Sequence, residues 1–312
     1  MDGRRIAISG ASGLIGSKLT LSLRERGDEV IALVRHRCKD HASEIFWDPQ
    51  TGEIEAAKLK GLDAVIHLAG KPLDEQRWTP KVKTAIWASR VNGTALISRT
   101  LAGLETPPRL LITASATDFY APSSLPTSEA DGRPGTGFVS EMCQAWEAAA
   151  APAAAAGIRI VHLRIPSVLA AEGHSVLAAF LPLFKRGLGP ILGDGRQLMC
   201  FIARDDLVRA IEHIIEREDL VGPVNVLAPA PVTNAEFART LAAVLGRRRF
   251  LRIPRGVLRV AMGEVANAIV EGDANLRPAK LSATGFRFLC PDITSALRHE
   301  LADATATPAV HQ

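Results

Sequence analysis

The stretch IAISGASGLIG, residues 6–16, constrains this chain more than any other part of it. IAIS reads as a buried strand, and LIGSKLTLSLRERG, ending at Gly27, reads as a helix. Between them stand Gly10, Gly13 and Gly16. Glycines at such a junction permit a tight turn and let the backbone approach a bound group closely. The helix that follows presents free N–H groups and the positive end of its dipole, which suits a pyrophosphate. A strand–turn–helix at residue 10 therefore predicts a parallel sheet built for a phosphate-bearing ligand.

The rest of the front half keeps the alternation. EVIALV is a second strand, and IFWDPQTGEIEA reads as a hairpin or a short insertion. DAVIHLAG is a continuous apolar run, as a strand covered on both faces requires. Thr79-Pro80 opens a long helix towards Leu104, with proline at the first helical position. PRLLITAS, EMCQAWEAAA and IRIVHLR continue as strand, helix and strand. This order predicts an α/β, Rossmann-type, doubly wound parallel sheet with right-handed crossovers.

The back half reads as SVLAAFLPLFKRG, a helix; GLGPILGDGRQ, a glycine-rich loop; DDLVRAIEHIIERE, an amphipathic helix; and GPVNVLA, a short strand returning to the sheet. Thr233 and Glu236 form a capping box. From about Arg247 the chain reads as helical, with Gly285 as a C-cap. The expected organisation is a dinucleotide-binding domain over 1–230, with residues 166–205 contributing to a substrate lobe. A smaller, mostly helical C-terminal domain follows over 231–302, and then a disordered tail over 303–312.

Composition narrows the function. The net charge is +4, and the densest basic cluster is RRRFLRIPRGVLR. Only Phe250 supplies an aromatic there, too little for the stacking that nucleic-acid binding needs, so the cluster reads as a solvated basic face. Cys38, Cys143, Cys200 and Cys290 stand far apart, and the histidines show no ligand spacing, so neither a disulfide framework nor a metal site is expected. No window reaches the ~18 apolar residues of a membrane span, and the chain enters a strand without an apolar leader. The expectation is a cytoplasmic protein with a small-molecule substrate and no nucleic-acid or membrane partner; a homodimer is left open.

The spacing Gly-x-x-Gly-x-x-Gly, followed in order by HLAG (67–70), VNGT (91–94), SAT (115–117) and DDL (205–207), resembles the extended, epimerase-like branch of the short-chain dehydrogenase/reductase superfamily. RWTPKVKTAIWASR, CQAWEAAA, RGLGPILGDGRQ, GPVNVLAPAPVTNAEFA and ATGFRF narrow the resemblance to an atypical subgroup that ends in a small C-terminal domain of unassigned role. It covers residues 4 to about 302. It implies NADP(H) contacts at Gly10, Ser12, Gly13, Leu14, Ile15, Gly16, Leu68, Ala69, Gly70, Arg90 and Val168. The second strand adds Arg35, which stands 19 residues after Gly16 with Arg37 close behind and no carboxylate before Asp40. An NAD-selective chain places Asp or Glu there, whereas guanidinium grips a 2′-phosphate.

Enzymes of that branch use Ser or Thr with Tyr-x-x-x-Lys, and here the resemblance fails. The only tyrosine, Tyr120, is followed four residues later by Ser124. Aligning Glu147 with the family's downstream glutamate puts Val139 at the tyrosine position and Cys143 at the lysine position. Ser115 survives, as either a substrate contact or a hydroxyl bonding local backbone. Tyr120, without a paired cation, can donate a proton but is a poor base, since free tyrosine ionises near pH ~10. Cys143 is either a thiol acid/base or a small buried residue. Met199 replaces the arginine that nucleotide-sugar members carry. The catalytic candidates are Ser115 and Tyr120, in an NADP(H)-dependent oxidoreductase or epimerase of unknown substrate. The competing reading is an NADPH-binding regulator without turnover, such as a cell-division-related factor.

Overall fold

The structure is a computed structural model, and it describes residues 3–36, 38, 40–73, 77–247, 250–262 and 274–306. In chain order the front half runs β1 (Arg5–Ser9), α1 (Leu14–Glu25), β2 (Glu29–Val34), β3 (Glu44–Asp48), β4 (Glu53–Ile54), β5 (Ala64–His67), α2 (Pro80–Ala102), β6 (Leu110–Ala116), α3 (Phe138–Ala148), α4 (Ala151–Ala155) and β7 (Arg159–Ile165). Then follow β8 (Ser167–Leu169), α5 (Val176–Lys185), β9 (Gly189–Leu192), β10 (Leu198–Met199), β11 (Phe201–Ala203) and α6 (Arg204–Glu216). The last part holds β12 (Gly222–Asn225), β13 (Val232–Thr233), α7 (Asn234–Val244), β14 (Phe250–Ile253), α8 (Arg255–Met262) and two helices, Ala279–Ala283 and Ile293–Ala306. Residues 307–312, within the expected tail, lie outside the described residues, as does Arg37. None of the described helices is long and apolar enough to cross a membrane.

The chain divides into two compact units. The first comprises Met1–Phe119, Pro134–Arg164 and Ala210–Val224, and the second Tyr120–Arg133, Ile165–Arg209 and Asn225–Gln312. The first unit is built on an eight-stranded sheet of order β12-β7-β6-β5-β1-β2-β3-β4. The pairs β1–β2, β1–β5, β2–β3 and β5–β6 are parallel, and the edge hairpin β3–β4 is antiparallel. The chain leaves β1 in one direction to β2 and β3, then returns to β5 and β6 on the other side. That reversal, between β1 and β5, is where ligands bind in a doubly wound sheet. Right-handed crossovers put α1 and α2 on opposite faces.

Local signals explain these elements. Thr79 accepts from the Val82 N–H at 3.3 Å and Pro80 opens α2. Three of the four residues in Ile6–Ser9 are aliphatic and all are buried, because both sheet faces are covered. Trp47 of the hairpin lies 2% exposed and stands perpendicular to the His67 ring, with the ring centroids 5.5 Å apart.

His67 ends β5 fully buried, with Nδ1 2.5 Å from Ser9 Oγ. Burial, with a smaller contribution from the charge of Arg90, lowers its pKa to about 4. Unfolded histidine titrates near 6.5, so the neutral form stabilises the fold above that pH. This stability is lost as pH falls from about 6.5 through about 4, to a total of about 3 kcal/mol. Urea unfolding between pH 7 and 4 should show that slope, and His67→Gln should flatten it whatever its effect at neutral pH.

The second unit carries three small strand pairs. β8–β11 and β9–β14 are parallel, and β10–β13 is antiparallel. Two expectations need correction here. GLGPILGDGRQ is not only a loop, since Gly189–Leu192 forms β9, and the chain beyond Arg247 first makes β14 before it becomes helical. Every residue of β9 is buried, so its backbone needs a partner, and Phe250–Ile253 supplies one in register from Phe250↔Gly189 to Ile253↔Leu192. The apolar core of the unit joins Phe184, Phe201, Phe237 and Leu241 to Cys290, Ile293 and Leu297.

The Asp205-Asp206 pair belongs to this packing. Asp206 is fully buried and accepts from the N–H groups of Leu289 and Cys290, both at 2.8 Å, and from Arg209 at 3.1 Å. Asp205 meets His299 at 2.9 Å, and Glu300 accepts from the Arg204 N–H at 2.8 Å.

Candidate cofactor and active site

The switch point between β1 and β5 gathers most of the expected cofactor residues in the first unit. Gly10 has φ +74°, a left-handed conformation that a side chain would strain. The Gly13 N–H closes the turn on the Gly10 carbonyl at 3.0 Å. Gly13 is the N-cap of α1 and provides no side-chain cap, and the first turn holds no acidic residue. The amides of Leu14, Ile15 and Gly16 lie in that turn, where an α-helix has no intrahelical acceptor for them. Ser12 and Gly13 are exposed and Gly16 is buried. A Cβ on Gly16 would fall 2.1 Å from the Gly10 carbonyl oxygen, whereas one on Gly13 would meet only that atom, at 3.3 Å. The turn is packed from behind and open in front, which fits a pyrophosphate.

Gly10 also abuts the β5 end, where a Cβ would stand 3.0 Å from the Ala69 nitrogen. Leu68 and Ala69 are half-buried and Gly70 is exposed. Arg90, on α2, lies against Gly70, with its guanidinium carbon 3.4 Å from a Cβ placed there. Its Nη1 donates to the Lys71 carbonyl at 2.8 Å, and its guanidinium lies 5.2 Å from the Trp146 ring centroid. Burial lowers its pKa to about 10, opposed by Cys143 and Asp118, so it stays charged near neutrality. Its Nε has no hydrogen-bond partner among the described residues. Arg35 stands exposed just past β2. Val168 belongs to the second unit, in β8.

Ser115 sits near the carboxyl end of β6, 3% exposed. Its hydroxyl donates to Glu147 Oε1 at 2.7 Å, so it bonds a side chain and not local backbone. Glu147 in turn receives two bonds from Arg164, Nε to Oε1 and Nη2 to Oε2, both at 2.8 Å. The Arg164 guanidinium lies 3.5 Å over the Phe119 ring, and its side chain is 4% exposed. From the sequence Glu147 is legible only as the family's downstream glutamate, and Arg164 not at all. The signal for Glu147 is present in the WE pair of the helix; nothing local marks Arg164.

Tyr120 falls in the second unit and is 6% exposed. Its hydroxyl donates to Asn225 Oδ1 at 2.7 Å, Asn225 donates to the Arg277 carbonyl at 3.0 Å, and its backbone N–H donates to Glu129 at 2.9 Å. A Cβ on Gly132 would stand 2.0 Å from the Tyr120 ring, so the ring is held by close backbone as well. Tyr120 and Ser115 belong to different units.

Cys143 is fully buried, packed with Ile86 and Met142 and flanked by Val139. Burial, then Asp118 and Glu147, push its thiol far above the ordinary range, so it is a protonated packing residue and not a thiolate base. Asp118, on the turn after β6, reaches solvent on one side. Crowding by protein on its other sides raises its carboxyl pKa, against the opposing charge of Arg90. Among the described residues no group of three His, Cys, Asp or Glu could hold a metal ion.

Comparison with known proteins places this geometry. Residues 6–226 match the NAD dependent epimerase/dehydratase family, and residues 253–300 match a domain of unknown function (DUF1731). The chain is 37% identical over 294 residues to an epimerase family protein, ML0860, of Mycobacterium leprae, covering 94% of each chain. It is 32% identical to the human epimerase family protein SDR39U1, covering 96% of this chain and 100% of that one. The crystal structure of human SDR39U1 (isoform 2) with NADPH superposes with a TM-score of 0.85 at 29% identity, covering 96% of this chain and 99% of that one. MoeE5 in complex with UDP-glucuronic acid and NAD, at 22% identity and a TM-score of 0.76, shares the fold. With the open glycine turn at a sheet switch point and the family model spanning residues 6–226, the chain belongs to the NAD dependent epimerase/dehydratase family.

Proposed function

We propose that this protein binds NADP(H) on the Gly10–Gly16 turn and acts on a small molecule at Ser115, as an oxidoreductase or epimerase. The observation that carries the cofactor choice is Arg35, exposed just past β2 where an NAD-selective chain needs a carboxylate. The similarity to human SDR39U1, whose crystal structure is with NADPH, supports it. Bound NADP(H) would give or take a hydride. The four cysteines are free, which suits a reducing cytoplasm.

The chain's own chemistry centres on Ser115, Glu147 and Arg164. A carboxylate can only accept, so the Ser115 proton points at Glu147. The lone pairs of Ser115 are left to accept a hydrogen bond from a substrate hydroxyl. Arg164, bidentate on Glu147, keeps that carboxylate in place. Ser115 is therefore a positioned hydroxyl, and Glu147 with Arg164 does the positioning. Tyr120, its proton committed to Asn225, serves packing in this reading. The second reading, cofactor binding without turnover, is favoured by the same facts about Tyr120 and by the protonated, buried Cys143.

Calorimetry with both dinucleotides tests the cofactor assignment. NADPH should bind at least about tenfold more tightly than NADH, about 1.4 kcal/mol, and Arg35→Ala should erase most of that preference. Equal affinities in the wild-type protein would overturn it. In the same preparation, NADPH oxidation against 9,10-phenanthrenequinone and a carbonyl panel separates the two readings. Turnover that Ser115→Ala lowers by about 10²-fold, and Tyr120→Phe leaves intact, supports the enzyme. Tight NADPH binding with no oxidation across the panel supports the regulator.

A further inference from the structure

The basic run from Arg247 to Arg259 holds six arginines, and no acidic residue occurs between Arg247 and Met262. A face meant only for water would carry those charges alone. Among the described residues, however, nine large apolar side chains are exposed, and five belong here: Phe250 at 42%, Leu251 at 51%, Val257 at 56%, Val260 at 78% and Leu188 at 50%. Leu188 joins the group through strand register, because Phe250 pairs with Gly189, the next residue.

These side chains stand on a fixed support. Leu258 is 6% exposed and packs with Leu192, against Phe180 and Ile253. That contact holds α8 by one face and leaves Val257 and Val260 on the outside. Exposed cations flank the group: Lys185 and Arg186 at the end of α5, Arg247 before β14, Arg252 within it, and Arg255 opening α8. Asp194 stands beside the group, 3.7 Å from Arg255.

We propose that this surface of the second unit docks on a membrane carrying anionic headgroups. Arginine and lysine answer headgroup phosphates, and apolar side chains beside them enter the boundary between headgroups and acyl chains. The contact is peripheral, in keeping with the lack of a spanning helix among the described residues. The alternative polyanion, a nucleic acid, would need stacking aromatics, and only Phe250 stands in the run. The proposal is independent of the cofactor and of turnover.

The test is flotation of the full chain with vesicles of phosphatidylcholine alone or mixed equally with phosphatidylglycerol. At low salt, the anionic vesicles should carry at least about tenfold more protein than the neutral ones, and the excess should shrink as salt is raised. Arg252→Glu should abolish the preference. Leu251→Asp and Val257→Asp, tested separately at positions that are more than half exposed, should each lower anionic binding by about fivefold or more. Either variant that keeps the wild-type Tm is sufficient for the comparison. Equal recovery on both vesicle types overturns the proposal. So does binding that Arg252→Glu removes but both aspartate variants leave intact, since that marks a surface for any polyanion, which a single-stranded oligonucleotide would then also occupy. A solution dimer that Val257→Asp dissociates overturns it too, because the face is then covered by a second copy.

Discussion

Glu147→Ala is expected to cost the fold about 3–5 kcal/mol, because it leaves the Arg164 guanidinium buried without its counter-charge. That side chain is 4% exposed, so water cannot replace the carboxylate. A loss of that size removes a large share of the ~5–15 kcal/mol that holds a typical domain together. Replacing both partners, Glu147→Leu with Arg164→Leu, should restore most of the loss, since the attraction within a buried pair little exceeds the desolvation of its two members. Glu147→Gln should fall between, keeping an acceptor for Ser115 and Arg164 but not the charge. Urea unfolding of the three variants measures this directly. A cost below about 1 kcal/mol for Glu147→Ala would place the pair in the class of exposed bridges and remove the basis for a positioned Ser115.

Gly13→Val should abolish dinucleotide binding, weakening it by about 10²-fold or more, while Tm stays near that of the wild type. The backbone at Gly13 has φ −78°, which any residue adopts, and a Cβ there meets only the Gly10 carbonyl, at 3.3 Å. The added branches stand in front of the helix amides, in the space a pyrophosphate needs. Gly16→Ala is the contrasting variant. Its methyl would fall 2.1 Å from the Gly10 oxygen, so the turn itself must open, at about 1–3 kcal/mol of overpacking. Calorimetry and thermal melts read the pair: Gly13→Val separates binding from stability, and Gly16→Ala loses both. Unchanged NADPH affinity in Gly13→Val would remove the turn from the site.

What the sequence shows plainly is what local chemistry writes within a few residues. The glycine turn, the Thr79-Pro80 helix start, the buried β5 and the Trp47–Ile54 hairpin all follow from neighbours in the chain. The parts it hides depend on partners far apart. β14 is a strand because β9 lies beside it, and nothing within Phe250–Ile253 outweighs the helical signal that follows. Ser115, Glu147 and Arg164 come from three different elements, separated by 32 and 17 residues, with no spacing that a motif could record. The partner of Tyr120, Asn225, is 105 residues away. From the sequence Tyr120 reads as half of an active site, because its loop is visible there and the acceptor of its proton is not.

The two units take the chain in six alternating segments, 1–119, 120–133, 134–164, 165–209, 210–224 and 225–312. That interleaving bears on modularity. No single cut releases either unit whole, and the part matching a domain of unknown function, residues 253–300, lies inside the last of these segments. A chain stopped at residue 230 would deprive β9 of its β14 partner and strip Asp206 of the two backbone donors at Leu289 and Cys290. Residues near the carboxyl terminus thus complete a unit whose first segment begins at Tyr120. During synthesis that unit cannot finish packing until the chain has emerged through Leu297.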